Sequence, residues 1–309
     1  MSHYLALVLG ILCAGLGGEL FVRGTVGLAR WARISPAIAG ATVAAFATSS
    51  PEMSVAIVAA FTGAPAISFG NVLGSNVVNV ALIFGLMLLI GPLCRTRREV
   101  KRDFSVALLA PIVVGVVSFD GVVSRIDGLI LLGLFLAWLI GTILEARQQR
   151  SAAVAVLGEK RRWLAGLLVA IGLALLFAAG ELIVTGASGI GRLLGLDNFI
   201  IGAVIVSIGT TVPEMATAVI SKMRKHEEVG FGTIFGSNIF NGLFILGLVA
   251  VISPIAVPWR EVLPVVLFGI VTVAVILPPR HACIQRWRGA VLLGLYAAYL
   301  AATIVQEQR

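Results

Sequence analysis

The chain has 309 residues, 59% of them hydrophobic and only 12% charged, about half the charged share of a typical soluble domain. That composition excludes a soluble globular protein and a disordered tail. The net charge of +8 would suit a nucleic-acid partner, but the basic residues lie between apolar runs rather than along one face, so no nucleic acid is expected.

The apolar runs have about the 20-residue length that crosses a bilayer as a helix, and they lack the period of two that a membrane barrel shows. In chain order they predict ten spans: 4–30, 36–62, 66–92, 103–119, 126–145, 163–191, 197–222, 229–253, 261–278 and 287–306. No basic residue and no small-residue cleavage site marks the first as a removable signal peptide. The second span carries ATSSPE at 47–52, and the third GNVLGSNVVN at 70–79. After the fifth comes a basic stretch poor in large apolar side chains, 147–162, which reads as a linker. The seventh and eighth spans carry GTTVPE at 209–214 and GTIFGSNIFN at 232–241. Cys13, Cys94 and Cys283 are odd in number and scattered, giving neither a disulfide framework nor a metal spacing. His3, His226 and His281 fall in terminal or loop segments and read as solvated.

The loops sort by charge. Of the 23 Lys and Arg residues, eighteen fall in one set of alternate loops; Arg125, Arg192, Arg260 and Arg309 fall in the other. Basic loops stay in the cytoplasm, so both termini are expected outside and the linker inside.

The sequence matches itself at one offset. Glu52 and Glu214 stand 162 residues apart, and the same shift pairs Glu19 with Glu181, Gly24 with Gly186, Thr48 with Thr210, Pro51 with Pro213, Ser75 with Ser237, Asn76 with Asn238 and Asn79 with Asn241. No gap is needed. Each copy holds five spans, an odd number, so the second enters the membrane from the opposite side. The expected fold is an all-α polytopic membrane protein of ten transmembrane helices, arranged as two inverted five-helix repeats, 1–146 and 163–309, with broken helices at the midplane. Secondary transporters built this way hold substrate near the repeat interface.

The paired motifs supply oxygen. Proline removes a backbone donor and clashes with the carbonyl four residues earlier, so Pro51 frees carbonyls around Ala47 and Pro213 those around Gly209. Thr48, Ser49, Thr210 and Thr211 add hydroxyls beside them. Glu52 and Glu214 bring charge, and because an ionisable residue at mid-span costs at least about 2.5–3.5 kcal/mol on insertion scales, each points to a functional site. Ser75 and Asn79 lie one turn apart on one helix face, as do Ser237 and Asn241. Such donors suit hard cations.

These residues resemble the Ca²⁺/cation antiporter superfamily and, within it, the bacterial and archaeal Na⁺/Ca²⁺ exchangers, whose signature is a doubled G-T-S-x-P-E with G-S-N-x-x-N. Ala47 stands here for the first glycine, and Asn241 where some members have aspartate. The resemblance implies Glu52 and Glu214 as principal Ca²⁺ ligands, completed by backbone oxygens of Thr48 and Thr210. It implies Na⁺ at overlapping positions, on Ser49, Thr211, Ser75, Ser237, Asn79, Asn241 and the carbonyls of Ala45 and Ser207. It also implies alternating access by sliding of the first and sixth spans, in a bacterial plasma membrane. Ca²⁺ and Na⁺ are then cargo, no cofactor is resident, the lipid bilayer is the other partner, and a monomer suffices.

The residues themselves leave other readings open. Two protonated glutamic acids can serve as interhelical hydrogen-bond donors, and membrane asparagines commonly join helices. Asn76 and Asn238 fall off the Ser/Asn face and read as packing residues. Glu19 and Glu181 either line the ion approach or pair with a neighbour such as Arg23. An H⁺/Ca²⁺ antiporter and a cation channel compete with Na⁺/Ca²⁺ exchange. No nucleophile with a base marks the spans, so an enzyme is not expected.

Overall fold

The computed structural model describes residues 2–61, 63, 65–94, 97–149, 161–193, 207–277 and 283–307. Capping chemistry sets the first boundaries. Helix α1 (His3–Ala32) begins where the Ser2 hydroxyl accepts the Leu5 N–H at 3.3 Å, and it ends at Arg33, whose left-handed φ of 56° returns its N–H to the last turn. Ser35 caps α2 (Pro36–Ala39) the same way, with Pro36 at the first position. A π-helical stretch at Gly40–Ala44 leads to α3 (Ala45–Thr48), and α4 (Ser50–Phe61) follows.

Next come α5 (Pro65–Val77), a π segment at Val78–Phe84 and α6 (Gly85–Ile90), then α7 (Arg97–Val117), the short strand β1 (Val122–Val123), α8 (Arg125–Gln149) and α9 (Arg162–Leu193). The later elements are α10 (Ser207–Thr210), α11 (Val212–Met223), α12 (Glu227–Ile239), a π segment at Phe240–Ile245, α13 (Leu246–Ile252), β2 (Ile255–Ala256), α14 (Trp259–Val275) and α15 (Arg286–Glu307). Among the described residues five helices are long and apolar enough to cross a membrane, namely His3–Ala32, Ser68–Ile90, Arg125–Ala146, Arg162–Ile183 and Glu227–Ile252, and Pro36–Thr48 with Ser50–Phe61 joins them if the two pieces count as one.

Helix α7 starts six residues before the expected 103, because the run Arg97–Arg102 is, apart from Val100, made of charged residues that are good helix formers and that an apolar criterion passes over. Helix α8 likewise runs on to Gln149, into the expected linker. Linker residues 150–160, the start of the seventh expected span at 197–206, and His281 lie outside the described residues.

The chain forms two compact units, Met1–Thr48 with Ala146–Thr233, and Ser49–Glu145 with Ile234–Arg309. Each unit draws on both halves of the sequence. In the first, α1 and α9 pack along their length. Gly10 meets Ile183, Gly17 meets Leu175, and Gly24 meets Val169, so numbers fall on α9 as they rise on α1, and the two run antiparallel. Helix α11 packs on both, and Phe21, Ala44, Leu176 and Ala216 form a core cluster among them.

In the second unit, α6 crosses α15 where Gly85 faces Gly289, and α13 crosses α8 where Gly247 faces Gly128. Helices α7 and α14 pack together, with Gly115 on Val266 and Gly269 on Pro111. Strand β1 pairs antiparallel with β2, Val122 to Ala256 and Val123 to Ile255, and an isolated bridge joins Leu93 to Ile284.

Beside that bridge Cys94 and Cys283 form a disulfide, which corrects the expectation that the cysteines have no framework. Their sequence separation is 189, and only the fold brings them together. Cys13 is free.

Candidate cation site

The two Pro-Glu motifs take the same local form. Each breaks its helix at one residue, Ser49 between α3 and α4 and Thr211 between α10 and α11, and these are 162 positions apart. Pro51 and Pro213 are each the second residue of the new helix, where a missing N–H costs nothing. The hydroxyls turn back onto the preceding backbone: Thr48 donates to the Ala44 carbonyl at 3.0 Å, and Thr211 to the Ile208 carbonyl at 3.0 Å. The Gly209 carbonyl, which Pro213 leaves without its helical donor, lies against Gly180 of α9, where a Cβ would come within 2.9 Å of it.

The two GSN motifs also share a form. Each ends in a π segment that starts at the residue before the last asparagine, at Val78 and at Phe240. Such insertions recur at functional sites.

The first unit holds Ala45, Thr48, Ser207, Thr210, Thr211 and Glu214; α3 and α10 both pack against α11, the helix of Glu214. The second unit holds Ser49, Glu52, Ser75, Asn79, Ser237 and Asn241. There α4, which carries Glu52, packs against α5 and against the π segment of Asn241, and α5 packs on that segment too. Thus the second unit gathers the GSN motifs of both sequence halves. Thr48, Ser49, Glu52, Ser75, Asn79, Thr211, Glu214, Ser237 and Asn241 are all at most 1% exposed.

Burial without partners is the telling feature. Among the described residues, Ser75 Oγ, Asn79 Oδ1 and both ends of the Asn241 amide are buried with no hydrogen-bond partner. By contrast, the buried Asp103 is answered by Trp138, whose Nε1 donates to it at 3.1 Å. Hydroxyl and amide oxygens near a carboxylate suit a hard cation, and no group of three or more His, Cys, Asp or Glu residues able to hold a metal occurs among the described residues.

Asn76 and Asn238 do more than pack. Each donates from its Nδ2 to the other's backbone carbonyl, at 3.2 and 3.1 Å, and Asn79 Nδ2 donates to Asn238 Oδ1 at 3.0 Å. The identity at offset 162 is the signal in the sequence that marks this pair, which the helical-face criterion leaves out. Glu19 pairs with Arg224, Nε to Oε2 at 2.6 Å, rather than with Arg23. His226 is half-buried, 3.6 Å from Glu228, and is not a freely solvated residue.

The chain matches the family model described as sodium/calcium exchanger protein over residues 2–144 and 164–305. It belongs to that family. Its members are exchangers, membrane transporters rather than enzymes, and cation exchange involving Ca²⁺ is the family activity. Among relatives, the inner membrane protein YrbG of Escherichia coli is 33% identical over 80% of this chain and 79% of its own. The sodium/calcium exchanger MaX1 of Methanosarcina acetivorans is 26% identical over 96% and 97%. A solved structure of the sodium-calcium exchanger NCX_Mj, soaked with Na⁺ and Sr²⁺, superposes with a TM-score of 0.82 at 28% identity, covering 97% of each chain. The helical membrane-exchanger fold follows from that agreement.

Proposed function

We propose that the chain is a secondary active antiporter that exchanges Na⁺ for Ca²⁺ by alternating access, with ten transmembrane helices in two inverted five-helix repeats, 1–146 and 163–309, joined by the linker 147–162. Contacts related by exchange of the halves support the inversion. Gly10 meets Ile183 while Gly172 meets Phe21, and Gly24 meets Ala165 while Gly186 meets His3; in each case adding 162 to one partner and subtracting it from the other gives the mate. An inverted repeat with a two-fold axis generates such pairs.

Ca²⁺ is held by Glu52 and Glu214 with backbone oxygens of Thr48 and Thr210. Two carboxylates carry −2, the complement of one Ca²⁺. Na⁺ uses Ser49, Thr211, Ser75, Ser237, Asn79 and Asn241 with the carbonyls of Ala45 and Ser207, and α1 and α9 are the moving pair. The observation that carries this reading is the set of buried, unpartnered oxygens at Ser75, Asn79 and Asn241. Each costs about 1–3 kcal/mol if nothing answers it, and a bound cation answers all of them. By the basic-residue split, both termini face outward and the linker is cytoplasmic, in a bacterial plasma membrane of the kind named for YrbG.

Proteoliposomes loaded with Ca²⁺ test the reading. An inward Na⁺ gradient is expected to drive Ca²⁺ efflux and a pH gradient is not. The reverse result makes the protein an H⁺/Ca²⁺ antiporter, and efflux that needs no counter-cation makes it a channel.

A further inference from the structure

We propose that Asn238 is a positioning residue that turns the Asn79 amide, so that Asn79 offers its oxygen, and not its nitrogen, as the free end. This rests on the reading of Asn79 as a cation ligand. The two ends of an amide are told apart by the company they keep, and here the company is decisive. The Asn76 backbone carbonyl can only accept, so the Asn238 atom 3.1 Å from it is Nδ2. The other end of Asn238 is then Oδ1, which also only accepts. The Asn79 atom 3.0 Å from that oxygen must therefore be Nδ2. What remains of Asn79 is Oδ1, buried and without a partner among the described residues. One fixed acceptor, a backbone carbonyl, thus sets the orientation of a side chain two hydrogen bonds away. A ligand held in this way keeps its lone pairs aimed, as outer-shell partners do around metal sites.

The mate of this relay is open. Exchanging the halves would have Asn241 Nδ2 donate to Asn76 Oδ1. Asn76 Nδ2 does engage the Asn238 carbonyl at 3.2 Å, which leaves Asn76 Oδ1 waiting, yet that oxygen and both ends of the Asn241 amide have no partner among the described residues. The two ligand asparagines are therefore unlike: a hydrogen bond orients Asn79, and none sets the orientation of Asn241 among the described residues.

The test is a double-mutant cycle read as half-saturation concentrations for Na⁺ and Ca²⁺ in proteoliposomes, with thermal unfolding followed in parallel. Asn79→Ala is expected to raise the half-saturation of at least one cation. Asn238→Ala is expected to raise the same one, on the order of tenfold, and to add nothing in the Asn79→Ala background. Asn76→Ala removes a hydrogen bond from the same clasp but keeps the backbone carbonyl that starts the relay. It should lower the unfolding midpoint as Asn238→Ala does, while shifting half-saturation far less. Where Asn238→Ala does not fold, Asn238→Ser, too short to span both partners, replaces it in the cycle. A persistent Asn238 effect in the Asn79→Ala background, or an equal effect from Asn76→Ala, overturns the positioning role and leaves the ligand reading intact. An Asn79→Ala variant that binds every cation like the unmodified protein overturns the ligand reading itself, and the positioning role with it.

Discussion

Two places where the sequence halves meet are built on opposite principles. In the α1–α9 pair the contact is glycine against backbone. Gly10, Gly17 and Gly24 recur every seven residues on α1, and Gly172 and Gly186 sit two heptads apart on α9, with the buried Ala179 midway. A seven-residue repeat keeps one face of each helix turned to its partner, and small residues there let the backbones close. At the GSN motifs the contact is amide against carbonyl, through Asn76, Asn79 and Asn238. Only a third of the α1 apolar window and 22% of that of α9 is buried, against 67% for Ser68–Ile90 and 83% for Glu227–Ile252. The less buried α1–α9 pair is fitted by shape, which lipid tolerates. The more buried GSN helices are tied by directional bonds, which hold buried polar groups in one arrangement.

The sharpest way to break that contrast is at the carboxylates. Glu52→Gln and Glu214→Gln keep shape and remove one of the two charges proposed to hold the divalent ion, so each is expected to abolish Ca²⁺ uptake while the protein stays folded. Uptake of ⁴⁵Ca²⁺ by proteoliposomes measures it, with size-exclusion behaviour as the folding control. The α1–α9 seam should respond the other way. A Cβ at Gly172 would lie 2.6 Å from the Phe21 nitrogen, and one at Gly24 would lie 2.7 Å from the Val169 nitrogen. Gly172→Ala and Gly24→Ala are therefore expected to cost ~1–3 kcal/mol of stability, seen as a lower unfolding midpoint in detergent. Gly15, on the same helix, has nothing within 4 Å. Gly15→Ala should be neutral or stabilising by up to about 1 kcal/mol, which isolates the effect to the seam.

How much of this the sequence shows depends on whether the cause is local. The helix breaks at Ser49 and Thr211 follow from Pro51 and Pro213, and the starts of α1 and α2 follow from Ser2 and Ser35 as caps. Repeat register is legible because identities survive at one offset. The heptad glycines say little by themselves, since a glycine states that something approaches and not what. The Asn76–Asn238 clasp and the Cys94–Cys283 disulfide depend on which helices become neighbours. The same holds for the way each compact unit mixes the halves, which no single-helix pattern records.

The disulfide gives the next test, of sidedness. The split of basic residues puts positions 94 and 283 on the cytoplasmic side, and cytosolic thiols stay reduced. In cells both cysteines are therefore expected to be open to alkylation, with the bond forming only after purification in air. Mass spectrometry of protein trapped with a membrane-permeant alkylator reads this directly. A bond already closed in cells places those loops in an oxidising compartment and reverses the proposed orientation.

The smallest expected effect concerns Glu19, which the sequence leaves as either a lining of the ion approach or one half of an ion pair. In the structure it accepts from Arg224 Nε at 2.6 Å, and the Arg224 side chain is 60% exposed. Exposed pairs of this kind contribute about 0.2–1 kcal/mol, because solvent screens the attraction and two long side chains lose freedom. Glu19→Gln should thus lower stability by no more than about 1 kcal/mol, with the difference shrinking as salt rises. The pair joins α1 to the end of α11, the helix of Glu214, so removing it also tests whether the fitted α1–α9 seam needs a polar tie to its neighbour. Half-saturation for Na⁺ and Ca²⁺ is expected to stay as in the unmodified protein. A carboxylate that lined the approach would instead raise the local concentration of cations, and its loss would weaken uptake most at low ionic strength, where unscreened charge acts furthest. Uptake measured at low and high salt with an inert cation therefore separates the two roles: a salt-dependent loss of uptake in Glu19→Gln places that residue on the ion approach, and a salt-dependent loss of stability alone leaves it as the outer brace of α1.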